Sequence, residues 1–81
     1  VNDVVPIAEL LSTAEEWANE IMMGAPLAIQ ASKEAALKGL AYPLDEVPRL
    51  FPIQESMYAS EDFVEGPKAF AEKRAPQWKG R

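Results

Sequence analysis

The 81-residue sequence contains no cysteine and no histidine. The first absence excludes disulfides and thiolate chemistry. The second removes the commonest metal ligand and the side chain that most often serves as a base near neutral pH. No serine or lysine has a histidine to activate it as a nucleophile, and no glycine-rich phosphate loop is present. No apolar run approaches the ~20 residues of a membrane-spanning helix, and the N-terminus lacks the basic region and apolar stretch of an export signal. No membrane partner is expected, and the expected location is cytoplasmic. Bases are scarce over residues 1–65, which hold 3 against 12 acids. The net charge of −5 opposes nucleic-acid binding as a main role.

What remains is a single helical segment over 1–81 with little to staple it. A domain of this size buries only ~60% of its unfolded surface, and many of its apolar residues are alanines. Exposed apolar surface is therefore expected to be covered by a further part of a parent chain or by other copies. The start at Val1 fits a piece of a longer protein.

The pattern predicts an all-α chain of three or four helices behind a short extended stub, Val1 to Pro6. The first helix should run from Ile7 or Ala8 to Met23. It carries Ile7, Leu10, Leu11, Ala14, Trp17, Ala18 and Ile21 on one face, and Gly24 caps it. The second should begin at Pro26, whose fixed φ suits a first helical position, and reach about Lys38. Its face of small residues is Ala28, Ile29, Ser32, Ala35 and Ala36. Pro43, Pro48 and Pro52 crowd the next stretch, and proline breaks interior helical hydrogen bonds. A helix starting around Asp45 to Pro48, kinked or restarted at Pro52 and ending near Ala59, is expected. Ser60-Glu61-Asp62 should open another helix through a hydroxyl cap and acids at the positive dipole end. Gly66-Pro67 should interrupt it, leaving a second piece from Pro67 to about Arg74 with Phe70 inward and an extended tail beyond.

The ending reverses the charge. Residues 66–81 hold 5 bases against the single acid Glu72. Lys68, Lys73, Arg74, Lys79 and Arg81 share this run with Phe70 and Trp78, a combination able to hold a phosphate and stack a nucleotide base. The same residues also fit a helix C-terminus and a docked tail. The adjacent pairs Glu15-Glu16 and Glu61-Asp62 point in different directions on a helix and read as solvated surface and capping.

The order Val1-Asn2-Asp3-Val4-Val5-Pro6, Glu9-Leu10-Leu11, Trp17-Ala18, Ala25-Pro26-Leu27-Ala28 and Lys33, ending in Glu65-Gly66, Ala69-Phe70 and Glu72-Lys73-Arg74, resembles the C-terminal region of the enoyl-CoA hydratase/isomerase (crotonase) family. The run from Glu65 to Arg81 looks like the carnitinyl-CoA dehydratase branch. The resemblance implies a parent enzyme that reversibly adds water to a 2-enoyl-CoA, needs no cofactor beyond its acyl-CoA substrate, and assembles as a homo-oligomer of trimer type. It also implies that the oxyanion hole and the two glutamates that handle water precede Val1. Hence no catalytic residue is expected in this chain, and Glu9, Glu61 and Glu65 do not take that role. Phe70 and Lys73 match the positions that contact the CoA adenine and phosphate in some members. Pro67 departs from the family pattern. Two rivals compete with this reading. A non-enzymatic helical interaction module would self-associate without binding CoA. A phosphopantetheine carrier needs an Asp-Ser-Leu setting, which Ser12, Ser32, Ser56 and Ser60 all lack.

Overall fold

Pro26 occupies the first position of its helix, where its missing N–H costs nothing, and this start fixes the layout of the chain. The computed structural model describes residues 1–43, 45–46 and 51–81. A 3-10 turn, Ile7–Glu9, leads into α1 (Leu10–Met22), followed by α2 (Pro26–Gly39), α3 (Pro52–Tyr58) and α4 (Glu61–Ala71). Among the described residues there is no strand, and the chain is all-α. The expected start around Asp45 to Pro48 lies largely outside the described residues, and Asp45 and Glu46 form a turn. The restart at Pro52 is observed.

The core is thin. Ala31, Phe51 and Ala69 are the buried apolar residues described. On α2 the buried positions are Ala31 and Glu34, which differ from the expected small-residue face. Exposed Ser32 and Ala36 lie a step around the helix. Glu34 is inside because it acts as a cap from another helix. Its Oε2 accepts the Ile53 N–H at 3.0 Å, one of the donors left over in the first turn of α3. Its Oε1 takes the Lys38 ammonium one turn on. These bonds, the one from Lys38 first, hold the Glu34 carboxyl below the usual carboxylate range. Gln54 Oε1 accepts the Phe51 N–H at 2.8 Å, and the Phe51 ring meets Tyr42 at a centroid distance of 6.2 Å.

No residue of α1 is buried. Leu10, Trp17 and Ile21 stay 60%, 43% and 57% exposed. With Val1, Asn2, Asp3 and Val5 of the extended stub, the α1 face borders an open groove of about 570 Å³. The radius of gyration is 16.1 Å, against about 12 Å for a compact chain of this length. The accessible surface is 6736 Å², against about 4,800 Å² for a monomer of 8.9 kDa.

The α4 helix departs from expectation. It runs unbroken from Glu61 to Ala71 with Pro67 inside, where an interruption at Gly66-Pro67 was predicted. Contacts with the tail hold both halves of the helix and outweigh the local preference. Phe70 points outward, 87% exposed, because the covered stripe passes through buried Asp62 and Ala69 and half-buried Gly66 instead.

Candidate functional site

The site is α4 with the tail folded back along it. Ser60 caps the helix as expected, its Oγ accepting the Phe63 N–H at 3.2 Å. The Glu61 N–H donates to the Arg81 carbonyl at 2.7 Å, so the tail's last residue sits at the helix start. Asp62 is only 3% exposed, a correction to the solvated reading of the Glu61-Asp62 pair. Its Oδ1 accepts the Lys79 N–H at 2.7 Å and its Oδ2 the Gly80 N–H at 2.8 Å. Two consecutive N–H groups thus grip one carboxylate, helped by the positive φ of Gly80, 71°.

One turn on, Glu65 takes a two-pronged contact from the Arg74 guanidinium and the Gln77 N–H at 2.8 Å. The Arg74 bonds chiefly, then that of Gln77, pull the Glu65 carboxyl down to about 2. Arg74 is held more firmly protonated in turn, by Glu65 and then Glu72. Lys79 pairs with Glu61 at 2.7 Å and Arg81 with the same carboxylate at 3.2 Å. The Lys79 hydrogen bond, with the charges of Lys79 and Arg81, lowers the Glu61 pKa. Between these anchors the Trp78 indole covers Gly66, where an added Cβ would lie 3.3 Å from the ring. Its N–H donates to the Met23 carbonyl at 2.9 Å.

The helix ends in a Schellman turn. The Arg74 N–H reaches the Ala69 carbonyl at 3.0 Å and the Lys73 N–H reaches that of Phe70 at 3.1 Å. The residue at the left-handed position is Lys73, φ 52°, where glycine is usual. Of the five bases in the run, Arg74, Lys79 and Arg81 pair with acids of the chain. Lys68 and Lys73 make no ion pair among the described residues. Both are exposed: Lys68 stands two positions before Phe70, on a different face of α4, and Lys73 three positions after it. The two sequence-predicted residues, Phe70 and Lys73, therefore share the free end of α4. Sequence reasoning missed Asp62 as the clamp of the tail. The Ser-Glu-Asp run signalled a helix start and nothing more.

Among the described residues no cluster of His, Cys, Asp or Glu could hold a metal ion, and no helix is long and apolar enough to cross a membrane. The arrangement offers exposed Phe70 and Lys73 at one helix end, Lys73 making no ion pair among the described residues, together with an uncovered apolar face on α1.

Comparison with known proteins places the whole of this architecture. The family model for enoyl-CoA hydratase/isomerase matches residues 1–81. Carnitinyl-CoA dehydratases from Salmonella typhi and Escherichia coli strain K12 are each 45% identical over 86 aligned positions, which cover 100% of this chain and 33% of theirs. The crystal structure of an enoyl-CoA hydratase/isomerase from Mycobacterium paratuberculosis superposes with a TM-score of 0.91 at 40% identity, over 100% of this chain and 32% of that one. The chain spans about a third of the length of the curated relatives it matches. With every residue inside one family match and the helices laid out as in a solved member, the chain belongs to the enoyl-CoA hydratase/isomerase family.

Proposed function

We propose that this chain is the C-terminal part of an enzyme that reversibly adds water to a 2-enoyl-CoA, and that it builds the oligomer and closes one wall of the CoA pocket. The catalytic groups then belong to the rest of that enzyme. The acyl-CoA is its substrate, and no cofactor enters. A homo-oligomer of trimer type and a cytoplasmic location are parts of the same proposal.

The observation that carries it is the contrast among the bases of the run. Three are neutralised within the chain, while Lys73 makes no ion pair among the described residues and follows three positions after Phe70, which is 87% exposed. An ammonium serves phosphate as a point charge, and an exposed ring face stacks a base. The assembly role is supported by the uncovered α1 face. Surface in excess of a compact monomer is about 1,900 Å², more than the ~800 Å² one partner contributes to a standard interface.

Lys73→Ala in the full-length protein tests the reading. Affinity for an enoyl-CoA should fall about ten-fold, the loss of one charge-assisted contact, while turnover at saturation stays unchanged. Unchanged affinity would remove Lys73 from the pocket wall.

A further inference from the structure

The tail binds more than α4. Three of its backbone N–H groups, at residues 77, 79 and 80, are anchored on the α4 carboxylates Glu65 and Asp62. These anchors lie on both sides of Trp78. The indole between them leaves α4 and donates to the Met23 carbonyl at 2.9 Å. Met23 is the C-cap residue of α1, and helix ends leave carbonyls without intrahelical donors. The indole therefore caps α1 from 55 positions away in sequence. Gly80, two positions on, lies near the start of α2, where an added Cβ would stand 4.0 Å from Pro26 Cβ. The elbow itself is tight, because a Cβ on Gly24 would meet the Ile29 side chain at 3.2 Å. Against this, no α1 residue is buried, so α1 has little else to fix its direction.

We propose that residues 77–80 form a strap across the α1–α2 elbow, with Asp62 and Trp78 as positioning residues that set the angle at which α1 presents its apolar face. The strap joins the two halves of the function proposed above. The helix that anchors it carries Phe70, and Lys73 follows at that helix's end. The helix it aims carries the uncovered face. Its consequence for assembly rests on that reading, but its geometry stands apart from it.

The test uses the full-length protein that carries this segment. Replacing Trp78 by its benzothiophene isostere, with sulfur in place of the ring N–H, keeps Cη2 and Cζ3 over Gly66 and removes only the N–H. Hydrogen–deuterium exchange resolved by residue should show the amides of Trp17 to Met23 exchanging about five-fold faster, the share of one neutral hydrogen bond. Those of α2 and α3 should be unchanged. Asp62→Asn, which keeps the shape and weakens the grip on residues 79 and 80, should give the same pattern. Exchange in α1 that does not respond to either variant would overturn the strap, and so would equal acceleration in every helix. Neither readout involves CoA, so a failure of the Lys73 test and a failure of the strap are separate results.

Discussion

Arg74 reaches back nine residues to Glu65 and holds it with two nitrogens, Nη1 at 2.5 Å and Nη2 at 3.0 Å. The same guanidinium takes Glu72 through Nε at 2.6 Å. One side chain thus fastens the body of α4 to the segment that leaves it. Paired guanidinium and carboxylate forks of this kind carry geometric specificity as well as charge attraction.

This pair sets an acid limit on the tail. Glu65 is held near 2, against an ordinary 4.5. A depressed carboxyl contributes stability that is complete above its unfolded value and lost as pH falls through the folded one. The tail should therefore stay docked above about pH 4.5 and come away progressively toward pH 2. In a Trp17→Phe background the emission of Trp78 alone reports this, and Glu65→Gln should remove most of the acid dependence in that window. An emission profile that is flat to pH 2 would contradict it.

Lys73 occupies a conformation that suits glycine. The left-handed region costs an L-residue about 1–2 kcal/mol, so Lys73→Gly should raise stability by about 1 kcal/mol in urea unfolding. In the full-length protein, on the function proposed above, it should at the same time weaken CoA-ester binding as Lys73→Ala does. A gain in stability without a loss of affinity would leave Lys73 a helix terminator only.

Gly66 sets two effects against each other. Alanine in a helix interior is favoured over glycine by about 1 kcal/mol, but the added Cβ would stand 3.3 Å from Trp78 Cη2. Gly66→Ala should leave the unfolding midpoint nearly unchanged and shift Trp78 emission to the red. A full helical gain with unaltered emission would show that the indole does not rest on Gly66.

Ser60 accepts the Phe63 N–H and donates its hydroxyl to the Met57 carbonyl at 2.6 Å. It thereby joins the end of α3 to the start of α4. Ser60→Ala should cost about 1 kcal/mol, the usual worth of an N-cap, measured by the same urea unfolding.

Much of this was readable in the sequence because local chemistry decides it. The α1 stripe, the start at Pro26 and the cap at Ser60 each follow from a residue and its immediate neighbours. The continuous α4 did not, since Gly66-Pro67 is a local stop signal. What overrides it is tertiary: Trp78 over Gly66 and Arg74 on Glu65. Phe70 and Lys73 were paired by the family resemblance, but the outward aim of Phe70 was not legible. That aim depends on which stripe of α4 the tail covers, and the stripe is chosen by Asp62, an acid that composition alone assigns to the surface. Gly24 shows the same limit. Its position past α1 was legible, whereas its close approach to Ile29 belongs to the α1–α2 elbow.

The least dimension of the molecule is 18 Å, less than two helix diameters. A sheet of helices this thin has no interior in which a helix can be surrounded by these residues alone. In the homo-oligomer proposed above, part of its cohesion is set by mass action. Its melting temperature should climb with protein concentration, and dilution alone should melt it at a temperature where the concentrated sample is intact.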